Sequence, residues 1–257
     1  MIRLVFALRR LPGMSLAEFQ DYWVNRHGPL VAGFATDLKI HRYVQTHRVD
    51  TPSNAAAQAA RGSMEPEYDG VAELWWETED LLEANMASEA GRAAGAALLE
   101  DERKFIDLPN SPLWFAYEYP QVNPAPETIV ARVKSNVLRV FFPLRHVTTL
   151  SEERARHYWL TQHGPIVRSH AAATGVLCYR QVHRANHPAD AAIQAARGTV
   201  VPSYLGHAEA WIDMGRAPGT EEARRANAAF IEDERNFIDF SRSTIFFGKE
   251  HTIIDRR

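Results

Sequence analysis

The chain has 257 residues, 46% of them hydrophobic and 24% charged, the makeup of a folded globular protein rather than a disordered one. A net charge of −3 and a pI near 6.4 exclude the basic footprint of a nucleic-acid binder, and no apolar run reaches membrane-spanning length. The single cysteine, Cys178, excludes an internal disulfide framework and a cysteine-rich zinc site.

Ile2–Leu8 is short, apolar and branched, which predicts a strand. Arg9 and Arg10 follow this stretch instead of preceding it, unlike a signal peptide, so a cytoplasmic location is expected. Ser15 with Glu18 forms a capping-box pattern, and Phe19, Trp23 and His27 then recur every four residues along one helical face. His27 is followed by Gly28 and Pro29, and the helix is expected to bend or stop there. Residues 41–48 alternate like a strand, the alanine-rich stretch 53–61 reads as a short helix, and Gly70–Trp76 reads as a third strand. A helical stretch opens at Thr78 and closes at Asp107, and the aromatic run 113–119 is the last strand. Three prolines within residues 119–126 then mark a linker.

The whole pattern then returns. Trp23-Val-Asn-Arg-His27-Gly-Pro29 recurs as Trp159-Leu-Thr-Gln-His163-Gly-Pro165, an offset of 136, and residues 43–62 match 179–198 at 12 of 20 positions. The run Glu100-Asp-Glu-Arg recurs as Glu232-Asp-Glu-Arg at an offset of 132, so the second copy lacks four residues after its third strand. The halves are set at 1–120 and 132–250 around a Pro-rich linker at 121–131. Each reads in the order βαββαβ, the ferredoxin-like arrangement, giving an α+β protein of two tandem domains. A sheet with helices on one face needs a cover on the other, so the two sheets are expected to close on each other as a barrel.

On the second strand, Tyr43, Gln45 and His47 share one face with His41, and Tyr179, Gln181 and His183 repeat the row. The row lines a pocket inside the barrel, or it faces solvent or the long loop with its hydrogen bonds satisfied. His27 and His163 each end a Trp-x3-His stripe at an expected helix terminus, where a histidine keeps its proton more easily. They are general acid/base candidates or structural histidines bonded to carbonyls freed at the bend. Glu73 and Glu209 lie among aromatics that include Trp75 and Trp211. Desolvation would raise their pKa for proton transfer, unless they pair with Arg3, Arg9, Arg139 or Arg145. The acidic runs read as solvated helix faces, and with no HExxH or compact His/Asp cluster no metal site is assigned. Arg61 and Arg197 either clamp an anionic ligand across the barrel mouth or cap a helix. Val71 against His207 and Trp76 against Ile212 show that the copies have diverged.

Phe19-x3-Trp23-x3-His27-Gly28-Pro29, Tyr43-x-Gln45, Gly70-x2-Glu73-x-Trp75 and Asp101-Glu102-x2-Phe105-x-Asp107 resemble the EthD family of the dimeric α/β-barrel superfamily, once per half. The second copy departs where Ala155 stands for Phe19. The resemblance implies an intrachain barrel and acid–base pairs His27 with Tyr43 and His163 with Tyr179. Gln45, His47, Glu73, Trp75, Gln181, His183, Glu209 and Trp211 are then the substrate-binding candidates. The expected function is cofactor-independent isomerase, cyclase, dehydratase or lyase chemistry on a hydrophobic oxygenated ring compound, in a chain that can pair as a homodimer. One alternative is an oxidoreductase, cofactor-free or haem-dependent with His27, His163, His183 or His207 as axial ligand. The other is a non-catalytic binder of a hydrophobic intermediate.

Overall fold

The computed structural model describes residues 1–123, 131, 133–215 and 219–256. In the first half, β1 (Ile2–Leu8) is followed by α1 (Leu16–Tyr22), a π-helical turn (Trp23–His27) and α2 (Gly28–Gly33). Then come β2 (Arg42–Arg48), α3 (Pro52–Ala59), β3 (Gly70–Trp76), α4 (Glu79–Ala87), α5 (Glu89–Glu102) and β4 (Leu113–Val122). The second half runs β5 (Val137–Leu144), α6 (Glu152–Tyr158), a π-helical turn (Trp159–His163), α7 (Gly164–Thr174), β6 (Val176–Arg184) and α8 (Asp190–Arg197). It ends with β7 (Gly206–Asp213), α9 (Glu221–Glu234) and β8 (Phe246–Asp255).

The eight strands form one closed antiparallel barrel in the order β1-β3-β2-β8-β5-β7-β6-β4. The seams between halves are β2 with β8 and β4 with β6. Closure leaves no sheet edge exposed, and eight strands enclose a bore that side chains can fill. Strand alternation sets what faces where. On β1, Ile2, Phe6 and Leu8 join an outer core with Phe19 and Trp23 of the helical layer, whereas Val5 and Ala7 join Tyr68, Trp114, Phe141, Tyr204 and Phe246 inside the barrel. A second outer core around Leu144, Trp159 and Phe237 serves the other half. The fold is thus an inner barrel core and two outer sheet–helix cores, and each fully buried aromatic stabilises it by about 2 kcal/mol.

Several expectations shift. The helix does not stop at Gly28; a π turn, in which the Gly28 amide donates to the Trp23 carbonyl, carries it through Gly28-Pro29, and the same happens at Gly164. Absorbing one extra residue in the turn accommodates a proline that lacks its own N–H. Strand β4 runs past residue 119 through Pro120 to Val122, with a register shift where the proline sits. Residues 124–130 of the expected linker lie outside the described residues. Strand β8 continues past residue 250 to pair Asp255 with Arg42. The stretch from Thr78 breaks at Ser88 into two helices. Gly70 has no room for a side chain: a Cβ there would meet the Trp23 ring and the Thr46 carbonyl at 2.6 Å.

Candidate active site

The π turn places Trp23 and His27 over β2. The Trp23 carbonyl accepts from Gln45 Nε2 at 3.0 Å, and its indole Nε1 donates to Tyr43 Oη at 3.0 Å. The indole also stacks on His47, with ring centroids 4.4 Å apart and planes within 3°. His47 Nε2 lies 3.0 Å from Gln45 Oε1 and donates to it. Burial, then the neighbouring His251, pushes His47 down to about 3, so it stays neutral. The second half repeats the arrangement. Trp159 Nε1 donates to Tyr179 Oη at 3.0 Å, Gln181 Nε2 to the Trp159 carbonyl at 2.6 Å, and His183 contacts Gln181 Oε1 at 3.1 Å. The polar row of β2 and β6 therefore faces the helices, not the barrel interior. The row keeps every second residue on one face, as expected, but the closed barrel turns that face outward.

Each histidine of the turn meets an aspartate from the last helix. His27 Nδ1 is 2.9 Å from Asp101 Oδ2, and His163 Nδ1 is 2.8 Å from Asp233 Oδ2. Tyr22 and Lys104 also donate to Asp101, at 2.7 and 3.2 Å. Burial raises the Asp101 carboxyl, but hydrogen bonds from His27, Tyr22 and Lys104 outweigh it and hold the group below its usual range. Asp233 is lowered in the same way, with His163 and Tyr158 as donors. An ionised carboxylate only accepts, so Nδ1 carries the proton and Nε2 is left as the basic nitrogen. Among the described residues nothing bonds His27 Nε2. Neither histidine sits at a helix end, so the aspartate takes the place expected of the helix dipole.

Tyr43 supplies the complementary group. Its Oη accepts from Trp23 Nε1 and from Gln45 Nε2, both at 3.0 Å. The Trp23 carbonyl fixes Gln45 Nε2 as a donor, so both neighbours give hydrogens to Tyr43. The phenolic hydrogen has no acceptor among the described residues. Burial raises the pKa of Tyr43 and of Tyr179 and keeps both hydroxyls protonated.

These groups border a cavity between sheet and helices in each half. The first, about 270 Å³, is lined by His27, Tyr43, Phe6, Trp76 and Leu98, and by Arg197 of the opposite half. The second, about 390 Å³, is lined by His163, Tyr179, Phe142, Ile212 and Phe230, and by Arg61 of the opposite half. Arg197 donates from Nε and Nη2 to both oxygens of Glu102, each at 2.8 Å, and Arg61 does so to Glu234 at 2.7 and 2.8 Å. Helices α3 and α8 thus reach across a barrel seam, and each cavity wall is completed by the other half. A two-pronged pair of this kind fixes both position and orientation.

The other sequence candidates lie elsewhere. Gln45, His47, Gln181 and His183 brace the Trp–Tyr contact and do not line either cavity. Trp75 and Trp211 face the bore, beneath the guanidinium groups of Arg3 and Arg139 at 5.2 and 4.9 Å. Glu73 bonds Arg3 at 2.9 Å and Arg139 at 2.5 Å; Glu209 bonds Arg3 at 3.1 Å and also Arg139. Burial raises both carboxyls, but the two arginines prevail and hold them below the ordinary range. Ion pairing, not a raised pKa, is the outcome. Glu209 borders the second cavity through its place on β7 while its carboxylate is committed to the bore.

His207 joins these carboxylates, with Nε2 3.5 Å from Glu209 and 3.7 Å from Glu73, and burial lowers its pKa. The three offer ligand-type atoms within 4.8 Å of one another. A divalent cation there would sit against Arg3 and Arg139, so the cluster does not fit a metal. Haem fits no better. His47 and His183 are stacked and bonded, His207 is enclosed by ion pairs, and His27 and His163 face cavities of 270 and 390 Å³, one below and one near the low end of the roughly 300–1,000 Å³ typical of drug-sized ligands.

Sequence reasoning missed Asp101, Asp233, Glu102 and Glu234 by reading the acidic runs as solvated. Glu100 is exposed, but Asp101 and Glu102 are buried. The signal was there: Glu-Asp-Glu-Arg recurs unchanged in both copies, which a solvated face does not require.

The EthD domain profile matches residues 11–109 and again residues 148–241. No curated protein sequence matches the chain. Among solved structures, a protein of Fusobacterium nucleatum named for an inferred monooxygenase activity aligns over 98% of this chain and 93% of its own, with TM-score 0.50 and 5% identity. A similarly named protein of Lactobacillus acidophilus aligns over 99% and 96%, with TM-score 0.47 and 8% identity. A protein named for an inferred chlorite dismutase activity aligns over 98% and 95%, with TM-score 0.49 and 11% identity. At 5% identity, the likeness to the Fusobacterium nucleatum protein is one of fold alone.

Proposed function

The chain belongs to the EthD domain family, with two tandem copies, and from that premise we propose that each copy is a proton-transfer site for an oxygenated, hydrophobic ring compound. Each copy is read as a ferredoxin-like unit, so that one chain closes within itself the barrel that two chains would otherwise build. The observation carrying the functional reading is the pairing of a basic imidazole nitrogen with an uncommitted phenolic hydrogen at one cavity.

His27 Nε2 takes a proton from a ring hydroxyl or from carbon beside a carbonyl. Asp101 stabilises the imidazolium that forms, as an ionised orienting group does for a general base. Tyr43 donates its hydrogen bond to the oxygen that gains charge, and Trp23 and Gln45, which also donate to that hydroxyl, keep it aimed. The imidazolium then returns the proton at a second position, which yields isomerisation, cyclisation, dehydration or bond cleavage according to the substrate. His163, Asp233 and Tyr179 repeat these roles. Replacing His27 and His163 together by glutamine is expected to abolish exchange of substrate protons with D2O and product formation, with circular dichroism unchanged. Retained exchange overturns the reading. Cofactor-free oxygenation is the second reading, because the carbanion made by the same base is the species that reacts with oxygen; oxygen uptake during turnover distinguishes it.

A further inference from the structure

We propose that the two cavities of this chain take ligands of different size, the second half accepting a fused-ring compound and the first only a single ring. This rests on the reading of both cavities as ligand sites and says which class each takes. The two share His, Asp and Tyr in the same contacts, so what separates them is the wall.

On the sheet side the first cavity is narrower at equivalent positions. Leu74 and Trp76 stand where the second cavity has Ala210 and Ile212, and Ile193, reaching in on α8, stands where the second cavity has Ala57 of α3. Trp76 is held in place, its indole Nε1 donating to the Leu38 carbonyl at 2.8 Å, so it does not swing aside for a ligand. Helix α4 adds Met86 and Leu82 to the first wall. The second half is four residues shorter between β7 and α9 and has no helix at this place among its described residues.

On the helix side the trend reverses. Phe230 of α9 stands where α5 has Leu98, and Asn227 where α5 has Gly95. A floor widened by Ala210 and Ile212 beneath a roof lowered by Phe230 makes a broad, flat slot. Such a slot suits a fused aromatic system stacked on Phe230, with the Asn227 amide within the wall to bond a second oxygen. The volumes agree: about 390 Å³ against about 270 Å³.

The test is binding stoichiometry, which does not depend on turnover. Titration calorimetry of the intact chain with 2-naphthol is expected to show one site, and with phenol two. Ile212→Trp should weaken 2-naphthol at least tenfold and leave both phenol sites, since the first cavity binds phenol with Trp76 at the same place. Trp76→Ile should create a second 2-naphthol site, a gain that misfolding cannot mimic. Two equal 2-naphthol sites in the unmodified chain, none at all, or no second site in Trp76→Ile would overturn the proposal. Binding as expected in a chain that exchanges no substrate protons would instead sink the catalytic reading and leave this one standing.

Discussion

The hydroxyls of Tyr68 and Tyr204 lie 2.9 Å apart, and the residues are separated by 136 positions, the spacing of the repeat itself. A residue that bonds its own counterpart sits where the two copies meet across the bore. The Tyr204 hydroxyl donates to Glu65 Oε2 at 2.7 Å, so Tyr68 is the donor in the pair. Tyr68→Phe removes one bond and leaves Tyr204 satisfied, at about 1 kcal/mol. Tyr204→Phe strands the Tyr68 hydrogen and deprives Glu65 of a donor, at about 2 kcal/mol. Urea unfolding of the two variants should show that order; the reverse order would contradict the donor assignment.

The crossed pairs Arg197–Glu102 and Arg61–Glu234 should hold each half against the other. Arg197→Ala leaves Glu102 buried and uncompensated, and a loss of about 3 kcal/mol is expected by denaturant unfolding. Changing both partners to leucine should recover most of that loss, because no buried charge is left behind. A double variant no more stable than the single one would show that the salt bridge is not the cause.

Asp101→Asn together with Asp233→Asn should lower turnover by about 10²-fold or more, the scale of a lost general base. The amide no longer stabilises the imidazolium and can present its N–H to Nδ1, which moves the imidazole proton to Nε2. The fold should persist, because Tyr22 and Tyr158 can still donate to the amide oxygen. Turnover as fast as in the unmodified chain would mean that the aspartates do not act through the histidines.

Stability should fall as the solution is acidified, starting well above the carboxylate range. His47 and His183 titrate at about 3 in the folded chain, pushed down first by burial, against about 6.5 when unfolded. The unfolded chain thus binds protons that the folded one refuses, and stability present above pH 6.5 is lost progressively toward pH 3. The slope is about 1.4 kcal/mol per pH unit for each histidine. Asp101 and Asp233, both lowered, add their loss only below pH 4. Replacing both histidines with glutamine should flatten the curve between pH 6 and 4, and an unchanged curve would assign the slope to other groups.

The repeat, the strand and helix order and the Trp–His stripe could be read directly because each is a local pattern. Strand alternation likewise put Tyr43, Gln45 and His47 on one face. It could not say whether that face met helices or the opposite sheet, because a covered sheet is apolar or networked on both sides. Here the polar atoms of Trp23 decide it, giving Tyr43 and Gln45 their partners from the helical side. The crossed arginines were out of reach for another reason. Residue 61 meets residue 234 only because β2 pairs with β8 across the seam, a contact between distant segments with no local signature. The same closure turned Glu73 and Glu209 from site candidates into the charged filling of the bore.

Two identical chains that meet about an axis must place every central residue twice, so any charge or ring near the axis arrives in pairs. Fusion removes that constraint. His207 occupies the position that Val71 holds in the other copy, and Cys178 that of Arg42, both beside the same bonded carboxylates and arginines. The centre of this barrel can therefore hold an odd number of ionisable groups, and one wall can change while its twin stays fixed.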